Sequence, residues 1–128
     1  MAFELHVAPV PSAAATARHV MATWLRGVGV IDDEAEDILV VLSELVTEGI
    51  SHEGGGDIVV RAVMLEDRRL AIEVVSTPWP EGVTVLRYEP GGDVDRAHRM
   101  EIVAAMSDDL AVHHEGGHTL ITLTLKVA

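Results

Sequence analysis

The sequence predicts one α+β domain, a two-layer sandwich in which a mostly antiparallel sheet carries its helices on one face. Three observations lead there. Some segments repeat apolar residues at helical spacing, others alternate like half-buried strands, and together they run β-α-α-β-β-loop-α-β-β. The 128 residues suffice for one hydrophobic core, so residues 1–128 are read as a single domain.

The elements follow in order. Phe3, Leu5 and Val7 alternate with Glu4 and His6, which predicts a short strand. Pro9 and Pro11 break it, and Ser12 is placed to cap a helix to about Arg26, burying residues among Ala13, Ala17, Val20, Met21, Trp24 and Leu25. Gly27 and Gly29 end that helix. The stretch from Asp32 to Gly56 is the centre of the arrangement. Ile38, Leu42, Leu45 and Gly49 form an apolar stripe that Val41, Val46 and Ile50 widen. Asp33 and Glu36 are spaced as a capping box, and Gly54-Gly55-Gly56 marks the far end. Glu44, Glu48 and His52 lie four residues apart, so they stack along one helical face.

Two strands, Ile58 to Leu65 and Leu70 to Val75, are joined by a turn at Glu66-Asp67-Arg68-Arg69. Their alternation is imperfect, which predicts partial cover on both sheet faces. A loop at Ser76 to Gly82 and an extended stretch at Val83 to Leu86 follow. After a second loop at Tyr88 to Asp93, Asp93 or Asp95 caps a third helix whose inward residues are drawn from Met100, Val103, Ala104 and Met106. Leu110 to His113 and Thr119 to Val127 close the chain as a hairpin.

Composition narrows function. A hydrophobic content of 48% with mean hydropathy +0.28 belongs to a folded globule. The formal charge of −12 argues against a nucleic-acid surface and favours basic protein partners. The absence of cysteine excludes disulfides and thiolate metal sites. With neither a signal-like start nor an apolar run of membrane length, a soluble cytoplasmic protein is expected.

The element order and the phrase Ser43-Glu44-Leu45-Val46-Thr47-x-x-x-x-His52 resemble the ATP-binding domains of the anti-sigma-factor serine kinases. These belong to the histidine kinase-like (Bergerat-type) superfamily, with gyrase, Hsp90 and MutL. The resemblance spans essentially the whole chain. It implies that Glu44 matches a general base and that Glu48 stands where such domains place a magnesium-binding Asn. It also implies that Arg18 matches an arginine on the partner-binding face. The nucleotide motifs depart from the pattern. Where such domains read Asp-x-Gly-x-Gly, with the Asp on the adenine amino group, this chain has Ser76, Pro78 and Pro80. Where they read Gly-x-Gly before the third helix, cradling phosphate on backbone amides, this chain has Ala97 and Arg99. Only Gly116-Gly117-His118-Thr119 keeps a familiar form, which puts Thr119 among the degenerate nucleotide-binding positions.

Magnitudes weigh these losses. A charge-assisted bond to adenine is worth roughly 1.5–3 kcal/mol, and a left-handed non-glycine residue costs about 1–2 kcal/mol. A total near ~5 kcal/mol weakens binding several-thousand-fold. Glu48 remains a hard oxygen ligand for Mg²⁺ but repels phosphate without it. The expectation is therefore a regulatory protein without ATP turnover that binds a sigma factor or an anti-sigma antagonist. Glu44 becomes a vestigial base, and no cofactor is expected. The alternative is an active anti-sigma serine/threonine kinase using ATP and magnesium. The resemblance also makes a homodimer an expectation.

Two local features are weighed against simpler readings. His114-Glu115-Gly116-Gly117-His118 spells the H-E-x-x-H zinc-protease signature, with His113 beside it. The paired glycines and the β-branched residues after them place it on a hairpin turn, where no helical face exists to gather both histidines. Trp79, between two prolines, is either a lid on the core or an aromatic anchor for a partner.

Overall fold

The computed structural model describes residues 2–50, 56–76, 105, 107–115 and 118–127. The chain forms β1 (Ala2–Val7), α1 (Ala13–Gly27), α2 (Asp32–Ile50) and β2 (Ile58–Leu65), then a short 3-10 turn (Glu66–Arg68). β3 (Arg69–Ser76), β4 (Asp109–Glu115) and β5 (His118–Lys126) complete it. The strands make one antiparallel sheet in the order β1-β2-β3-β5-β4. This is the expected α+β sandwich. The expected third helix and the stretch Val83 to Leu86 lie outside the described residues.

Register explains the layering. Phe3, Leu5 and Val7 pair with Ala62, Val60 and Ile58, which pair in turn with Ile72, Val74 and Ser76. Ile121 and Leu123 continue the row, opposite Val74 and Ile72. Because partners across antiparallel strands point to the same face, these residues line one side of the sheet. Met21, Leu25, Val41, Leu42, Leu45 and Val46 meet them from the helices and are fully buried. Each such side chain contributes about 1.5–3 kcal/mol relative to exposure. Phe3 and Trp24 join α1 to β1, their ring centroids 5.6 Å apart. Trp24 is half-buried, while Val20 is exposed instead of inward. On the opposite face Val59 and Val75, a register pair, are also buried, at the point where the sequence alternation breaks down.

The helix ends show local chemistry at work. At the end of α1 the amide of Val30 donates to Leu25 O at 3.0 Å and that of Gly29 to Arg26 O at 3.2 Å. With Gly29 at φ +83° and both Leu25 and Val30 buried, this is a Schellman closure with its apolar contact. Ser12 occupies the N-cap of α1 but makes no side-chain capping bond. The capping box expected at Asp33 and Glu36 is displaced: the amide of Ala35 donates to Ile31 O at 2.8 Å, and α2 starts at Asp32. Asp32, Asp33 and Glu34 then sit in the first turn, where the helix dipole favours negative charge.

The turn between β2 and β3 is strained. Asp67 (φ 62°) and Arg68 (φ 57°) are both left-handed, a conformation costing about 1–2 kcal/mol for a residue with a side chain. The surroundings hold it there. Arg68 Nη1 donates to Val28 O at 3.2 Å and Nη2 to Gly29 O at 3.1 Å, while the amide of Val127 donates to Arg68 O at 2.9 Å. The guanidinium thus serves carbonyls left over at the end of α1. Asp67→Gly is expected to stabilise the fold by about 0.5–1 kcal/mol, glycine's extra unfolded-state entropy offsetting part of the relieved strain. A urea midpoint unchanged or lowered would refute this.

Candidate functional site

Two surfaces meet on α2. On one flank, Asp37, Val41, Glu44 and Glu48 recur at helical spacing. Glu44 is half-buried in the fourth turn. The N-terminal part of this flank borders a cleft of about 200 Å³ with Glu34, Asp37 and Asp108, closed by Leu125 and Val127 at the end of β5. The backbone of Glu48 belongs to α2, but its side chain lies outside what the structure describes.

The other flank of α2 faces α1. Arg18 Nη1 donates to Ser43 Oγ at 3.0 Å. Ser43 Oγ in turn donates to Leu39 O at 2.9 Å, and Thr47 Oγ1 to Ser43 O at 2.7 Å. Both hydroxyls of the phrase that carried the resemblance therefore turn back onto their own helix. Further along, a groove of about 250 Å³ runs between the helices, walled by Ala22, Arg26 and Val30 against Ala35, Glu36 and Leu39.

At the far end of the sheet Ser76 closes β3, inside the strand and not in the loop expected there. It is 5% exposed, the one buried polar residue among those described. The β3–β5 register runs to Val75 opposite Leu120, so the next positions, Ser76 and Thr119, come to the same end of the sheet. The side chain of Thr119 lies outside the description. Pro78, Trp79, Pro80, Ala97 and Arg99 lie outside the described residues altogether. The structure thus brings two expected positions, Ser76 and Thr119, to one end of the sheet, puts Glu44 and Glu48 on one flank of α2, and sets Arg18 on α1, bonded to Ser43 on the other flank.

The histidine motif is settled by topology. His114 pairs with Thr119 and Glu115 with His118, so the H-E-x-x-H string spans two strands and the tip between them. No helical face unites its histidines. Among the described residues no group of three or more His, Asp or Glu side chains could hold a metal ion.

The sequence reading missed one charged network. On the sheet face away from the helices, Arg61 donates through Nε to Glu4 at 2.7 Å and through Nη1 to Glu73 at 2.9 Å. His6 Nε2 lies 3.3 Å from Glu4. Arg61, then His6, holds the Glu4 carboxyl below its ordinary range. The signal available was alternation: Glu4, Arg61 and Glu73 all occupy polar positions in their strands. These residues cross a shallow groove of about 500 Å³ floored by small side chains such as Ala71, Ala111 and Thr122. Arg26 was also missed, although it stands eight residues beyond Arg18 on the same helix.

No protein-family model matches the sequence, and no curated protein matches it. Solved structures do share its fold. The RsbU and RsbW domains of Rv1364c from Mycobacterium tuberculosis superpose with a TM-score of 0.74 over 99% of this chain, at 22% identity. This chain spans about a third of that protein's length, 32%. The SiaB–SiaC complex from Pseudomonas aeruginosa contains a chain that superposes with a TM-score of 0.62 at 12% identity, covering 96% of this chain and 88% of that one. At these identities the likeness is one of fold. Among the described residues, no helix is long and apolar enough to cross a membrane.

Proposed function

We propose that the chain is an anti-sigma-factor-like regulatory module that binds a sigma factor or an anti-sigma antagonist and does not turn over ATP. One observation carries the reading. Ser76 is buried at the end of β3, where the resemblance calls for the acid that grips adenine. A neutral hydroxyl there forgoes a charge-assisted bond worth roughly 1.5–3 kcal/mol. The RsbW domain and the SiaB–SiaC complex lend support, since proteins of this fold occur as a domain beside another domain and in complex with another protein.

Glu44 favours the alternative, an active serine/threonine kinase, because it keeps the carboxylate of a general base on α2. If nucleotide were bound, Glu44 would be the group to accept a proton from an attacking hydroxyl, and Glu48 would be the oxygen donor offered to magnesium. Calorimetric titration of MgATP separates the two readings. The regulatory reading expects no binding below the millimolar range, and Glu44→Ala that leaves partner binding intact. Clear micromolar binding, or loss of regulation in folded Glu44→Ala, selects the kinase. A homodimer belongs to the same proposal, and sedimentation velocity showing only monomer at all loading concentrations would remove that part.

A further inference from the structure

β1 is an edge of the sheet: β2 pairs with one side of it, and no described strand pairs with the other. Sheets guard such edges with bulges, proline or lysine. β1 has none of these. It pairs with β2 in unbroken register, and the first proline, Pro9, lies beyond its end. The opposite edge, β4, is the charged one, with Asp109, His113, His114 and Glu115 in a single strand. Phe3 and Leu5 of β1 face the helix layer but are only half-buried, whereas Val60 and Val74, in the same row as Leu5, are fully buried. α1 extends this apolar margin. Trp24 is half-buried against Phe3, and Val20, one turn earlier on the same flank, is 36% exposed.

Charge selects who can meet this edge. Two copies of a chain with net charge −12 repel over most of their surface. Of its 21 acidic residues, however, only Glu4 precedes Asp32, and that interval holds β1 and α1. The β1 side is therefore where a second copy can approach. The strand is also complementary to itself. Directly opposed residues in an antiparallel pair point to the same face, and only two such self-pairings overlap all but one residue of β1. Centred on Glu4, the pairing sets carboxylate against carboxylate, which is destabilising. Centred on Leu5, it sets Glu4 opposite His6 twice and Phe3 opposite Val7 twice. The groups are poised for it. Arg61 holds Oε1 of Glu4, while Oε2 already takes the imidazole of its own His6 at 3.3 Å.

We propose that two copies of this chain join edge to edge through β1, antiparallel and centred on Leu5, making one continuous sheet with both sets of helices on the same side. Each Glu4 accepts from the other copy's His6, as a hydrogen bond with neutral imidazole and as an ion pair when the ring is protonated. Leu5 meets Leu5 on the two-fold axis, and Val20 and Trp24 of each α1 flank the seam. The contact is isologous, so it uses up both edges and closes at two copies. This inference rests on the homodimer proposed above and names its surface and register.

Sedimentation velocity on the full chain and on variants at the two exposed positions tests the seam, with circular dichroism to confirm folding. His6→Glu sets like charges opposite each other twice and should raise the dimer dissociation constant about tenfold. Combining Glu4→His with His6→Glu exchanges the two groups and should bring it back to within about threefold of the original. The chain has no cysteine, so Leu5→Cys places a single thiol on the axis, at a spacing that a disulfide bridges. It should crosslink on mild oxidation, whereas Ala111→Cys, on the sheet face away from the helices, should not. A dimer as tight in His6→Glu as in the unaltered chain would overturn the seam and leave a homodimer standing. So would a folded exchange variant that stays weak, or crosslinking at Ala111→Cys and not at Leu5→Cys. Association running past two copies would overturn the closed contact, and monomer alone at millimolar concentration would remove seam and homodimer together. The MgATP titration reads nucleotide affinity alone and can fail independently.

Discussion

Leu42→Ala is expected to lower the unfolding free energy by about 2–5 kcal/mol, the range for truncating a fully buried leucine. Leu42 is 0% exposed and belongs to the row of α2 that faces the sheet. Its neighbours there, Ile38, Leu45 and Val46, are held by the same helix and cannot all move inward to fill the space. Since a domain of this size has a total stability of about 5–15 kcal/mol, the loss shows directly in a urea or thermal transition. Val40→Ala serves as the internal control. Val40 lies on the outer side of the same helix, 46% exposed, and its truncation should stay within about 0.5 kcal/mol. Equal effects at both positions would mean that the layering of α2 on the sheet is misassigned.

Ser76→Asp is the second large effect, and it bears on function. It restores the acid that nucleotide-binding relatives of this fold are expected to carry, but at a position only 5% exposed. Taking a carboxylate out of water at that exposure should cost about 3 kcal/mol or more at neutral pH. Desolvation raises the carboxyl pKa in the folded state above its unfolded value. The native state then binds more protons than the unfolded one, so the penalty is small at acid pH and grows as pH rises through the unfolded pKa toward the folded one. Urea titrations at pH 5 and pH 7 measure it. A variant as stable as the original at pH 7 would show that the end of β3 still opens onto water or donors, as a nucleotide pocket would require, and would count against the regulatory reading.

How much was legible in advance follows from the range of the interactions concerned. α1 and α2 were readable because their signals are local: the apolar stripe through Ile38, Leu42 and Leu45 needs only helical periodicity, and the stop at Gly29 needs only a residue at ease with positive φ. The hairpins were readable for the same reason, with ends misplaced by one or two residues. Ser76 was assigned to a loop because Pro78 and Pro80 follow it, yet pairing with Ile58 keeps it in the strand. The expected cap at Asp33 is displaced because the carbonyl of Ile31, two residues earlier, already accepts a helical bond from Ala35. What stayed hidden joins parts distant in sequence. Nothing near Arg68 announces that it will serve carbonyls of α1, and nothing near Arg18 announces Ser43 across the groove. At the candidate site the resemblance supplied Glu44 and Arg18, whereas Arg26 and the Arg61 network emerged only once helices and strands had been set side by side.

The strand order has a consequence for how the molecule comes together. β5 inserts between β3 and β4, so the β4–β5 hairpin must find β3 across the long stretch that separates them in sequence. Until it does, β1 to β3 with α1 and α2 form a half-built sheet ending on a bare strand, with Leu70, Ile72 and Val74 along it. Closing such a long loop is slow relative to local pairing, and an unpaired apolar edge invites the strand of another chain. A newborn copy is therefore most vulnerable to aggregation just before β5 is made.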